Sequence, residues 1–386
     1  MKKLFYEDTH LLDFEAKVME CILDEKSKKY LIVLDKTAFF PQEGGQLADT
    51  GTLNGMPVLD VCIKRDIIYH VMEKPFEAGQ QVVCHVDWDR RFDFMQQHSG
   101  EHIISGLLHK HYGFTNVGFH LGLAEVTLDF DGQISMEQLR DIEREANHIV
   151  WKNLPVYATF PHKERLAELA YRSKTEIQGD VRVVEIPGVD ICACCAPHVE
   201  KTGEIGLIKI MNVQSHRGGV RINILCGERA LKDYTARQEA GNAVSVLLSA
   251  KPERIVEAVK KVQEDALQLK VSVNRLANQL LALQIAALPN PEACANPLLF
   301  VELSNTPAIR NTVNELTKTY SGYCGIFAGN DTEGYSFIIG SSSLDCRTIG
   351  ATLRTQFQAK GGGTAPMIQG SVSATKSQLE AFFSNL

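Results

Sequence analysis

Two pairs of side chains in this sequence are spaced to hold a metal ion. His98-Ser99-Gly100-Glu101-His102 sets two imidazoles at positions i and i+4, which share one face if the segment is helical. Among 12 histidines such a spacing is weak evidence by itself. Nor is the order that of the zinc proteases, where Glu directly follows the first His. Here Ser99 does, so Glu101 need not be a base and can simply face solvent. Farther along, Cys194-Cys195-Ala196-Pro197-His198 repeats the same spacing with a thiolate and an imidazole. Together the pairs supply His98, His102, Cys194 and His198, a donor set for one tetrahedral Zn²⁺ with four protein ligands, or three and a water. Cys192 and Cys195 rival Cys194 as the sulfur donor, and a buried, packed cysteine cluster is the alternative use of all three. In a reducing compartment such a cluster points to metal before disulfide.

Elements from distant parts of the chain must bring these pairs together. The 386 residues allow two or three domains, each with its own core. A composition 44% hydrophobic and 23% charged is that of ordinary globular protein, which excludes disorder, collagen and a disulfide miniprotein. No apolar run reaches the ~18 residues of a membrane helix. MKKLFYEDTHLL has no signal-peptide core behind its lysines, so a cytoplasmic chain without a membrane partner is expected. The net charge of −7 excludes a basic domain that coats nucleic acid, but leaves room for a few placed cations.

The pattern predicts an α+β multidomain chain. Residues 1–90 read as a small β-barrel, with strands near 30–34, 66–71 and 81–86 and an Asn54-Gly55 hairpin turn. Residues 91–230 mix helix and strand: an amphipathic helix over 92–108 ending near Gly113, and a second opened by a Ser135/Gln138 capping box. Residues 231–289 are a helical connector. Within it Ile255, Val259, Val262, Ala266, Leu269, Val273, Leu276, Leu280, Leu283 and Ala287 alternate steps of four and three, a coiled-coil seam. That stripe needs a partner, either an internal helix or a second copy of the chain, the latter being favoured. Residues 290–386 read as an α/β domain in which Lys360-Gly361-Gly362-Gly363 is a loop between helices 346–357 and 375–386.

The paired ligands resemble the H-x3-H and C-x3-H-V motifs in the editing domain of alanyl-tRNA synthetases and of the free-standing AlaX editing proteins. Thr37-Ala38-Phe39-Phe40-Pro41-Gln42-Glu43-Gly44-Gly45-Gln46, with Asp49 and Gly51, is similar to that family's glycine loop. Also similar are Gly179-Asp180-Val181-Arg182-Val183-Val184, Gly219-Val220-Arg221-Ile222 and the C-terminal Lys360-Gly361-Gly362-Gly363. The resemblance covers nearly the whole chain in order, as in the long AlaX form. One departure is Ala196-Pro197-His198, where alanyl-tRNA synthetases carry G-T-H; Pro-His is closer to the editing domain of threonyl-tRNA synthetases. Pro197 offers no N–H, which bears on amino-acid selectivity rather than on the metal.

The resemblance implies a trans-editing hydrolase that deacylates Ser-tRNA(Ala) and Gly-tRNA(Ala) with one Zn²⁺ per chain. A synthetase core is not expected before residue 1 and no G-x-x-x-x-G-K loop is found, so neither ATP use nor aminoacylation is expected. Thr37, Gly44, Gly45 and Gln46 would line the catalytic pocket: the glycine N–H groups approach substrate, and Thr37 or Gln46 recognises a serine hydroxyl. Arg217, Arg221, Lys360, Gly361, Gly362 and Gly363 would contact tRNA, and residues 255–287 would join two copies. The alternatives are editing of Ser-tRNA(Thr), or a non-catalytic zinc protein that binds tRNA. A phosphoesterase in the tail is disfavoured, because residues 290–386 contain no histidine and no clustered acids.

Overall fold

A computed structural model describes residues 1–173, 179–302 and 306–386. Its contacts divide the chain into two units, Met1–Asn242 and Ala243–Leu386. The segments expected at 1–90 and 91–230 thus lie inside the first unit, 290–386 lies inside the second, and 231–289 crosses from one to the other. No helix among the described residues is long and apolar enough to cross a membrane.

In the first unit, strands Asp13–Asp24, Lys29–Leu34, Ile67–Met72, Met56–Lys64, Gly51–Leu53 and Gln81–Val86 close, in that order, into a barrel. Alternation does the work. Gln81–Val86 buries every second residue, Val82, Cys84 and Val86, inside the barrel. Asn54 and Gly55 both take positive φ, 47° and 76°, as a tight hairpin requires.

Helix Trp88–Tyr112 follows at once, capped by Asp87 at its start and by Gly113, with φ 69°, at its end. It is longer than the periodicity suggests and buried on most faces from Phe94 to Leu108, because a sheet and a second helix enclose it. The sheet runs Ile208–His216, Gly219–Cys226, Val126–Phe130, Asn116–Leu121 in spatial order. Helix Met136–Lys152 starts with the expected Ser135/Gln138 capping box. A smaller sheet, Tyr157–Thr159, Val183–Ile186 and Asp190–Ala193, delivers the chain to Cys194.

Helix Gly227–Leu247 runs across the boundary between the units, and in the second unit the 3₁₀ turn Pro252–Arg254 leads into helix Ile255–Ala286, continuous over 32 residues. Only Leu281 of this helix is buried, together with Leu299, Ile309 and Val313. The heptad stripe points elsewhere: Leu269 and Leu283 are 66% and 70% exposed, so no described residue of the unit covers it. The five-stranded sheet has the order Leu298–Val301, Cys324–Asn330, Gly334–Gly340, Met367–Val372, Lys360–Thr364. Here the expected loop at 360–363 is corrected. It is an edge strand, registered Gly361 against Gly370 and Gly363 against Ile368. At Gly361, φ is 151° and a Cβ would stand 2.2 Å from the Gln369 carbonyl oxygen, so glycine is what admits this strand to the sheet.

Candidate metal centre

His98 and His102 lie one helical turn apart on Trp88–Tyr112 and are 2% and 1% exposed. The turn after Asp190–Ala193 carries Cys194 and His198 against them. The four ligand atoms lie within 4.8 Å of one another. Cys194 Sγ is 3.5 Å from His98 Nε2 and 3.3 Å from His198 Nε2. A tetrahedral metal with ordinary metal–sulfur and metal–nitrogen bonds has S···N edges of about 3.5 Å, so the donor set fits one ion.

Each imidazole is aimed by a bond on its other nitrogen. His98 Nδ1 donates to Gln46 Oε1 at 2.9 Å, and His102 Nδ1 to Asp190 Oδ2 at 2.9 Å. His198 Nδ1 meets Ser99 Oγ at 3.0 Å, and the Val199 N–H donates to the same hydroxyl. These bonds leave the Nε2 atoms on the side of Cys194, with His102 Nε2 also 3.7 Å from Glu101 Oε2, and bonding at the second nitrogen is the usual outer support of a metal-binding histidine. Asp190 and Ser99 carried no metal-ligand spacing in the sequence. Their role comes from position alone, although Ser99 stands beside His98 in the chain.

Electrostatics separates the three clustered cysteines. Burial alone would raise Cys194, but His98 and His198 prevail and hold its thiol well below the ordinary range. Burial pushes the Cys192 thiol up, and burial with neighbouring Cys194 does the same to Cys195. His198 is driven down to about 3 by its burial. Burial also lowers His102, but its hydrogen bond to Asp190 overrides this and leaves it raised. Cys194 is therefore the thiol poised as a thiolate among the three imidazoles.

The glycine loop closes over this cluster. Gly44 approaches Cys195, and Gly45, at φ 84°, packs so tightly that a Cβ would lie 2.5 Å from the Phe119 carbonyl oxygen. Phe119 in turn lies 4.6 Å from the His98 ring. Gln46 Nε2 is buried with no hydrogen-bond partner among the described residues, and so is Arg182 Nε. Arg182 holds the carbonyls of Cys194 and Ala196 at 3.1 and 2.8 Å and lies over the Tyr6 ring. Two donors beside the cluster thus await an acceptor.

Other expected site residues are not among the four clustered ligands. Thr37 is fully buried, with Oγ1 bonded to His70 Nε2 at 2.8 Å and accepting the Phe39 N–H at 3.1 Å. Arg221 is engaged by Asp129 through two bonds of 2.6 and 2.7 Å, so its guanidinium is not a free cation. Arg217 sits in the turn between Ile208–His216 and Gly219–Cys226 with φ 46°. Lys360, Gly361, Gly362 and Gly363 are all exposed along the edge strand of the second unit. Glu101 does not face solvent. It is 1% exposed and accepts from Ser105 Oγ and Asn116 Nδ2, both at 2.6 Å, because the sheet covers that side of the helix.

Residues 181–223 match the family described as threonyl and alanyl tRNA synthetase second additional domain, and residues 3–90 match class II (A) tRNA synthetases. The alanine–tRNA ligase of Pyrococcus abyssi is 30% identical over 98% of this chain and 43% of its own length. That of Ignicoccus hospitalis is 31% identical over 73% of this chain and 32% of its own. The chain thus spans less than half the length of these ligases. The mouse alanyl-tRNA editing protein Aarsd1 is 27% identical over 99% of this chain and 96% of its own length. With Cys194 and His198 inside the matched 181–223 segment and His98 and His102 brought to them by the preceding helix, the chain belongs to the AlaX-type alanyl-tRNA editing protein family.

Proposed function

We propose that this protein hydrolyses the ester bond of mischarged tRNA(Ala), removing serine and glycine in trans, with one Zn²⁺ held by His98, His102, Cys194 and His198. The observation that carries the reading is the convergence of one poised thiolate and three oriented imidazoles beneath a glycine loop that also supplies an unpaired amide donor. When bound, the ion supplies Lewis acidity toward an ester oxygen or a water.

The protein's own groups do the rest. The Gly44 and Gly45 backbone can approach a reacting carbonyl, and Gln46 Nε2 and Arg182 Nε are donors without acceptors among the described residues, suited to oxygen carrying developing charge. Thr37 supplies selectivity. His70 Nδ1 faces the Ile32 carbonyl at 3.0 Å, so it carries the proton and its Nε2 accepts from the Thr37 hydroxyl. The Thr37 oxygen is then an acceptor only, matched to a serine hydroxyl that donates. Such a polar sieve supplies discrimination that a pocket sized for alanine cannot, since small apolar differences give only about 10²-fold.

For tRNA we assign Arg217, Arg221 and the Lys360–Thr364 edge to backbone contact, Arg221 through a guanidinium already oriented by Asp129. The uncovered seam of Ile255–Ala286 is assigned to a second copy. Val259 and Val273 fall at one heptad position and Leu269, Leu276 and Leu283 at the other, the pattern of a parallel pair, and Asp265 and Lys270 would cross between helices. All ten cysteines are free, which supports a cytoplasmic setting.

The test offers Ser-tRNA(Ala), Gly-tRNA(Ala), Ala-tRNA(Ala) and Ser-tRNA(Thr) to the purified protein, with and without a chelator. Rapid release of serine from tRNA(Ala), abolished by chelation, is expected. Hydrolysis of none of the four above the buffer rate overturns the reading. Preference for Ser-tRNA(Thr) would favour the second reading, to which Pro197-His198 points. ATP-dependent alanylation measured alongside should be absent.

A further inference from the structure

His102 belongs to two groups of possible ligands. One is the cluster already described. The other is His102, Asp190 and Cys192, all buried, whose ligand atoms also lie within 4.8 Å of one another. Two metals, or one metal on the wrong side, are therefore open to this histidine as far as donor chemistry goes. A third residue decides between the sides.

Arg172 runs beside the strand Asp190–Ala193, forming a parallel bridge to Cys192. Its N–H donates to the Ile191 carbonyl at 2.8 Å, and its carbonyl accepts from the Ala193 N–H at 2.9 Å. From that anchored backbone the guanidinium forks onto Asp190, Nε to Oδ1 at 2.7 Å and Nη2 to Oδ2 at 2.8 Å. Asp190 Oδ2 also accepts from His102 Nδ1 at 2.9 Å. The carboxylate's strong acceptor positions are thus taken by a fixed cation and by the imidazole. A metal ion approaching Asp190 and Cys192 would have to displace the fork and stand against the guanidinium charge.

We propose that Arg172 is a positioning residue that commits His102 to a single metal: through Asp190 it fixes the ring with Nε2 toward Cys194, and its charge keeps a second cation off the Asp190–Cys192 face. The inference rests on the metal reading of the four-ligand cluster. It explains how three cysteines within four positions yield one site. Cys194 becomes the ligand because Arg172 occupies the side that Cys192 could serve.

Metal-free full-length protein titrated with Co²⁺ tests this, with absorption reporting thiolate ligation and chelator competition reporting dissociation. Wild type is expected to bind one equivalent with the spectrum of a single thiolate. Arg172→Met should bind a second equivalent, lost again when Cys192→Ser is added, and should release the first about 10- to 100-fold faster. Arg172→Lys keeps the charge without the fork, so it should stay at one equivalent yet release it faster. One equivalent and a wild-type release rate in Arg172→Met overturn the proposal, as does a gain of only one of its two effects. If circular dichroism shows Arg172→Met unfolded, Asp190→Asn is used: faster release at one equivalent supports the proposal and unchanged release overturns it. A wild type that binds no Co²⁺ would instead fail the metal reading itself.

Discussion

Arg91 and Asp49 form an ion pair in which neither side chain has any exposure to solvent. Arg91 stands on the histidine helix, about two turns before His98. Asp49 closes the glycine loop and accepts the Phe40 N–H at 2.6 Å, while Arg91 also donates to the Thr9 carbonyl at 3.0 Å. One pair therefore ties the N-terminal segment, the loop and the histidine helix together. Asp49→Ala leaves a buried guanidinium uncompensated, and a loss of about 3–5 kcal/mol in urea unfolding is expected.

The sulfur ligand is tested by metal analysis of three single variants. Cys194→Ala should lose bound metal, whereas Cys192→Ala and Cys195→Ala should retain it, because only Cys194 is held toward the thiolate by neighbouring imidazoles. Full metal content in Cys194→Ala would refute the assignment.

His70 gives the fold a pH dependence of known sign. Burial pushes it down to about 4 from an ordinary 6.5, so the unfolded chain binds the extra proton between those values. Its contribution is present above the unfolded value and is lost as pH falls toward 4. Wild type should lose about 2 kcal/mol more than His70→Gln between pH 7 and pH 5, read from paired urea titrations.

Selectivity is tested at Thr37. Thr37→Val removes the acceptor oxygen but keeps the shape, and should lower the ratio of Ser-tRNA(Ala) to Ala-tRNA(Ala) deacylation by about tenfold or more. An unchanged ratio would remove Thr37 from recognition.

Gly45→Ala forces a Cβ against the Phe119 carbonyl at a strained φ. About 1–3 kcal/mol of stability should be lost, with deacylation reduced more than metal content, since His98 keeps its other ligand partners.

The seam predicts an oligomer. Sedimentation of wild type should show a dimer that Leu269→Asp with Leu276→Asp converts to monomer; a wild type that stays monomeric at high concentration would leave the stripe without this partner.

What the sequence determined by itself was local. Spacing of four named His98 with His102 and Cys194 with His198, because a helical turn and a short loop need no distant partner to set their geometry. Asn54-Gly55 and Ser135 with Gln138 were legible for the same reason: backbone turns and caps are written in adjacent residues. Tertiary structure decided the rest. Gln46, Asp190 and Arg172 acquire their roles from chain segments that meet only after folding, and no periodicity marks them. Glu101 is buried because a sheet covers it, and Lys360–Thr364 is a strand because Met367–Val372 pairs with it, although three glycines carry no alternating pattern. Which cysteine faces the imidazoles is likewise a matter of where the strand Asp190–Ala193 ends. Local chemistry proposes a metal site; long-range hydrogen bonds decide which atoms point into it.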